Sequence, residues 1–149
     1  MRVVVQRVKR AALRIEGQMH AEIEEGLVLL IGIGRGDTDE DAEYVAGKCA
    51  GLRIFGDESG KMSYTVSDVG GEILAISQFT LCGDTRKGKR PSFTEAARPE
   101  HAEPLYERFL AVLRGHGLDV RTGVFGAHMV VEILNDGPVT LIVEGRPIQ

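Results

Sequence analysis

Apolar positions along this chain fall mostly in runs of strand length, interrupted twice by segments of helical period. Residues 2–9 read as a strand with Val3, Val5 and Val8 inward, and residues 11–15 continue extended. Glu16-Gly17-Gln18 is a hairpin signal with residues 19–23 as the return strand. Residues 27–33 are continuously apolar, as expected of a strand covered on both faces. The first helix is predicted over residues 40–52, with Tyr44, Val45, Lys48 or Cys49, and Leu52 on one face. Thr38 and Asp41 ahead of it have the spacing of a capping box. Short extended pieces at 53–55 and 61–66 lead through a turn at 68–71 to a buried strand over 73–81.

A second helix is predicted to start at Pro99 and to end near Gly115, burying Leu105, Phe109, Val112 and Leu113. Pro104 costs ~3 kcal/mol in a helix interior, so regular helix is expected only from Glu103, or after an irregular first turn. Residues 119–122, 129–134 and 139–143 supply three more strands, with a glycine-hinged loop at 123–127 and a turn at Asn135-Asp-Gly-Pro138. Strands outnumber helices, which gives a mixed, β-rich α/β fold. With no repeat, linker or low-complexity segment, one domain is expected across residues 1–149.

Composition narrows the setting. No apolar run approaches the ~20 residues that span a membrane. Met1 leads directly into Val3-Val4-Val5 without the pattern of a signal peptide. Cys49 and Cys82 are too few for a disulfide framework, and a cytoplasmic setting with reduced thiols is expected. The formal charge of −4 argues against non-specific nucleic-acid binding while leaving room for a local basic patch.

Candidate chemistry gathers in two places. Ser77, Gln78 and Thr80 put polar groups at the end of an otherwise apolar strand, and a basic loop with Arg86, Lys87, Lys89 and Arg90 follows. Their hydroxyls either satisfy backbone groups or meet a ligand; Thr80 as a nucleophile has no dedicated base in the sequence. The loop reads either as a solvated charge run or as a phosphate contact. The second place is Asn135-Asp-Gly-Pro-Val-Thr140. From the residues alone Gly137-Pro138 is an ordinary trans turn, where glycine also permits close approach of a ligand to the backbone.

Other motifs exclude themselves. Gly32-Ile-Gly34-Arg-Gly36-Asp37 lacks the third glycine of a dinucleotide loop and the Gly-Lys-Ser/Thr of a P-loop, so it reads as a tight strand-to-helix turn. His20, His101, His116 and His128 have no metal-ligand spacing and read as surface or structural residues. Cys49 reads as a small core residue. Neither metal nor cofactor is expected.

Taken together, Ser77-Gln-Phe-Thr-Leu81, Asp84-Thr85, Gly88, Arg90-Pro-Ser-Phe93 and Asn135-Asp-Gly-Pro-Val-Thr140 closely resemble the D-aminoacyl-tRNA deacylases. The similarity includes Gln6-Arg7-Val8, Arg53-Ile-Phe55, Gly60-Lys-Met62 and Thr122-Gly-Val-Phe-Gly-Ala127 with Met129. Ser63, Pro104 and a longer tail over 144–149 depart from the family pattern without touching these motifs.

This resemblance implies a compact, β-rich fold forming a homodimer, and hydrolysis of the ester between a D-amino acid and the terminal adenosine of tRNA. It implies that Ser77, Gln78, Phe79, Thr80 and Leu81 line the pocket. Gly137 and Pro138, joined by a cis bond, would enter the partner's pocket as a steric filter against L-amino acids. Phe125 and Met129 would pack near the adenine, and Arg7 would brace the Gly–Pro turn. Glycine, lacking a side chain, would escape such a filter, so glycyl-tRNA is an expected second substrate. Two catalytic schemes stay open: backbone N–H groups near Phe79 and Thr80 with help from the substrate ribose hydroxyl, or Thr80 as nucleophile. A different ester or nucleotide hydrolase, a non-catalytic tRNA-end binder and a ligand-free structural dimer are the rival readings.

Overall fold

A computed structural model describes residues 1–145; the tail beyond Gly145 lies outside the described residues. The elements are β1 (Arg2–Ile15), β2 (Gln18–Ile23), β3 (Gly26–Gly32), α1 (Asp39–Gly51), β4 (Phe55–Gly56), β5 (Met62–Tyr64) and β6 (Glu72–Ser77). A 3-10 turn (Phe79–Cys82), α2 (Pro99–Gly115), β7 (Asp119–Thr122) and β8 (Val130–Glu144) complete the chain. The mixed, β-rich α/β class read from the sequence is what forms.

Residues 2–9 and 11–15 are one strand. Along one edge β1 pairs with β3 through Arg2–Val8 and with β2 through Ala11–Ile15; along the other it pairs with β8. β3, β6 and β7 are parallel neighbours, so each connection crosses over, first through α1 and then through α2. The two helices pack together against one sheet face, where Leu27, Leu29, Ile31, Ile73, Ala75 and Phe109 are buried. Val8, Leu13, Ile23, Val28, Leu74 and Ile76 cover the opposite face. Burial on both faces explains why β3 reads as unbroken apolar sequence.

α1 starts with the predicted capping box: Asp41 N–H donates to Thr38 Oγ1, and Thr38 N–H donates to the Asp41 carboxylate. Its buried stripe is Ala42, Val45, Ala46, Cys49 and Ala50, whereas Tyr44 is 51% exposed. The alanines let α2 approach closely, and Tyr44 lies across the helix from them. Burial pushes the Cys49 thiol up to about 12, which fits a core residue and not a nucleophile. α2 runs unbroken through Pro104, contrary to the late or irregular start expected. Pro104 is exposed, so the Glu100 carbonyl that it leaves unbonded can meet water.

Two further expectations fail on geometry. The strand over 73–81 stops at Ser77 and passes into the 3-10 turn. Asn135 to Pro138 does not join two strands by a reversal. β8 runs in one direction along β1 on both sides of that segment, with Leu134 opposite Arg10, Asn135 opposite Val8, and Thr140 opposite Gln6. Residues 136–139 therefore bulge out of the ladder opposite Arg7.

Candidate active site

The carboxyl ends of β3 and β6 open onto a pocket of about 590 Å³, where open parallel sheets commonly bind ligands. Ser77, Gln78, Phe79 and Thr80 form one wall. Ala97, Pro99 and Ala102 at the start of α2 form another, and Phe125 to Met129 with Val131 close the third. The structure brings Ser77, Gln78, Phe79, Thr80, Phe125 and Met129 together in this pocket. Sequence reasoning missed the small apolar residues of the α2 entrance, which carry no chemical signal, and His128, which also lines the pocket.

Leu81 is not in this pocket. The 3-10 turn carries it to a separate hollow with Met1, Gly32, Asp37 and Cys82. Gly32 is required there, because a Cβ on it would lie 2.8 Å from the Leu81 Cβ. Asp37 is buried in that hollow and accepts from the Met1 amino group at 2.5 Å and from Gly34 N–H at 2.7 Å. The glycine-rich stretch ahead of it is the tight turn expected. His101 accordingly serves a structural end, its imidazole bonded to the Asp37 carbonyl at 2.8 Å.

The pocket's polar groups are few. Gln78 Nε2 donates to Thr80 Oγ1 at 2.8 Å, and among the described residues no imidazole or carboxylate is bonded to that hydroxyl. The first 3-10 bond runs from Leu81 N–H to the Gln78 carbonyl at 3.3 Å. The N–H groups of Phe79 and Thr80 precede it and have no helical partner. They form a pair of adjacent donors at the pocket wall. Phe79 is 57% exposed and meets Phe93 edge-to-face, with ring centroids 5.3 Å apart. Phe125 is backed by Tyr106, whose hydroxyl donates to the Ala75 carbonyl of β6 at 2.8 Å. No group of side chains suited to hold a metal ion occurs among the described residues. None of their helices is long and apolar enough to cross a membrane.

The β8 excursion is built separately and does not reach the pocket of its own chain. Asn135 Nδ2 donates to the Arg7 carbonyl at 2.8 Å and to the Val139 carbonyl at 3.1 Å, closing the base of the bulge. Arg7 Nη1 donates to the Ile54 carbonyl at 2.7 Å, and its Nε lies 3.3 Å from the Asp136 carboxylate. Arg7 thus stands against the excursion. The Gly137–Pro138 peptide is cis, as the resemblance implied and the residues alone did not. Gly137 has φ +117°, and a Cβ on it would lie 2.7 Å from Arg7 Nη2 and 2.9 Å from Val139 Cγ2. Both Gly137 and Pro138 are exposed.

Known proteins resemble this chain in sequence and in fold. Residues 4–144 match the family model described as D-Tyr-tRNA(Tyr) deacylase. The D-aminoacyl-tRNA deacylase of Halalkalibacterium halodurans is 62% identical over 146 residues, covering 98% of this chain and all of that one. That of Koribacter versatilis is 58% identical over 146 residues, covering 98% of each chain. A solved structure titled c-Myc DNA Unwinding Element Binding Protein superposes with a TM-score of 0.92 at 43% identity, over 99% of this chain and 100% of that one. Another, titled a probable eukaryotic D-amino acid tRNA deacylase, shares the fold with a TM-score of 0.84 at 18% identity, over 96% and 98% of the two chains. By sequence match over nearly its whole length, this chain belongs to the D-aminoacyl-tRNA deacylase family.

Proposed function

We propose that this protein is an ester hydrolase that removes D-amino acids, and glycine, from the terminal adenosine of tRNA in the cytoplasm. The observation that carries the reading is the pair of backbone N–H groups at Phe79 and Thr80, without a hydrogen-bond partner among the described residues, on residues that line a pocket where no base is bonded to the Thr80 hydroxyl. Water adds to the ester carbonyl carbon, and the two N–H groups stabilise the oxyanion that forms. The bond from that carbon to the ribose oxygen then breaks. The ribose oxygen takes a proton, leaving a free amino acid and tRNA with its hydroxyl restored. The neighbouring ribose hydroxyl of the substrate positions the water. Thr80 as nucleophile is the weaker scheme, because its hydroxyl accepts from Gln78 and is bonded to no base among the described residues.

Rejection of L-amino acids is assigned to Gly137 and Pro138 of a second copy. Both are exposed and lie outside the pocket of their own chain, so any site that they complete is a partner's. The edge of β8 that pairs with no strand among the described residues, with Val130, Leu134 and Ile142 each more than half exposed, supports a homodimer. In that arrangement rigid backbone, held by Arg7 and Asn135, occupies the space into which an L side chain would point. Phe125 and Met129 hold the adenine.

Release of amino acid from matched D-tyrosyl-, L-tyrosyl- and glycyl-tRNA tests the reading. Loss of the D and glycyl esters with the L ester intact is expected. Loss of all three at similar rates would leave a general esterase, and tRNA binding without any turnover would leave a binding module.

A further inference from the structure

The segment that leaves the pocket carries positive charge in a chain whose net charge is −4. Residues 84–92 close as a hairpin: Asp84 N–H donates to the Ser92 carbonyl at 2.7 Å and Ser92 N–H to the Asp84 carbonyl at 2.9 Å. Gly88 turns the tip at φ +67°. The hairpin is fixed to the pocket wall, since Phe93 at its base packs on Phe79. Farther along, Arg35 N–H donates to the Glu95 carbonyl and Ala97 N–H to the Ile33 carbonyl, both at 3.0 Å.

Arg86 is spent within the hairpin, forked onto Asp84 at 2.9 and 2.8 Å, which holds that carboxyl down at about 2. Lys87, Lys89 and Arg90 are different. They are exposed and have no ion pair or side-chain hydrogen bond among the described residues; Arg98, beside the pocket-lining Ala97 and Pro99, is the same. Elsewhere Arg2, Arg10, Arg14, Arg108 and Arg121 are each paired with a carboxylate. Lys48 and Lys61 are also exposed without an ion pair among the described residues, but each is separate in the sequence, whereas Lys87, Lys89 and Arg90 fall together on one hairpin whose base packs on the pocket residue Phe79.

We propose that this arm, residues 84–92 with Arg98, is the surface that grips the sugar-phosphate backbone of the acceptor end of the substrate tRNA. The inference rests on the ester-hydrolase reading of the adjacent pocket. Flexible, exposed cations without preset hydrogen-bond partners suit phosphates and not base edges, so the grip is independent of nucleotide sequence. A positive arm on a negative body also orients an approaching polyanion toward the pocket.

The test is the triple variant Lys87→Gln/Lys89→Gln/Arg90→Gln, assayed on D-tyrosyl-tRNA and on D-tyrosyl-adenosine, which keeps the ester and lacks the phosphates. Expected for the variant is a KM for the tRNA raised roughly tenfold or more, an unchanged kcat, and unchanged turnover of the adenosine ester. Wild-type KM for the tRNA should also climb roughly 20- to 40-fold more steeply than the variant's between 50 and 200 mM salt, the effect of about three phosphate contacts. An unchanged KM for the tRNA would overturn the proposal. Equal losses on both substrates would overturn it too, by making the arm a support of the pocket. Failure of the wild type on both esters would instead sink the ester-hydrolase reading and this inference with it.

Discussion

Thr80 and Phe79 show how differently two neighbours can serve one site. If the donors are backbone groups, Thr80→Ala should lower the single-turnover rate by less than roughly tenfold, or ~1.4 kcal/mol. A larger loss would restore Thr80 as nucleophile. Phe79 permits the complementary experiment. It is the first residue of the 3-10 turn and follows Gln78 at φ −139°, ψ 85°, outside the helical region, so proline is compatible there. Phe79→Ala keeps the N–H and Phe79→Pro removes it. The proline variant should turn over roughly 100- to 1,000-fold more slowly than the alanine variant, the usual cost of one oxyanion donor. Equal rates would refute the backbone scheme. At this scale the sequence was informative where polar residues interrupt an apolar run, hence Ser77, Gln78 and Thr80. Leu81 joins them only through the resemblance, and the 3-10 turn, which sends successive side chains in three directions, carries it to a separate hollow.

Among elements, β8 was the hardest to read. Asn135-Asp-Gly-Pro138 has every local mark of a reversing turn. Only pairing with β1, more than 120 residues away in sequence, makes it an excursion from a continuing strand. α1 was placed correctly and its face incompletely, since an alanine stripe is quiet next to Tyr44. The excursion carries its own prediction. Gly137→Ala forces a Cβ against Arg7 and Val139 at a φ that L-residues rarely adopt. The variant should lose roughly tenfold or more of its preference for D-tyrosyl- over L-tyrosyl-tRNA, as expected when a positioned group shifts by about an ångström. Unchanged preference in a folded variant would remove Gly137 from the filter.

For the whole molecule, buried titratable groups set the alkaline limit. The folded state holds the Cys49 proton to about pH 12 against an ordinary 9.0, and burial likewise raises Tyr106. Between those values the unfolded chain has lost the thiol proton and the folded chain has not. The stabilisation is therefore complete below about pH 9 and declines as pH rises toward 12. Denaturant midpoints should fall over that window, and less steeply in Cys49→Ala; parallel curves would refute the assignment. The β-rich class and both helices were legible because they follow from periodicity. The proposed dimer and filter come from the resemblance alone, because nothing in a strand's pattern states which surface meets a second copy.

The two unbonded N–H groups at the pocket wall have a consequence for how this protein tolerates change. Every amino acid except proline supplies the same amide, so on the proposed backbone scheme the centre of the chemistry would be written in the path of the chain and not in its letters. Alanine scanning would pass over it. Substitutions at Phe79 and Thr80 can accumulate with the donors intact, while changes that redirect the 3-10 turn, at Gly32 beneath it or in the Ile31 carbonyl–Gln78 contact before it, reach the reaction from a distance.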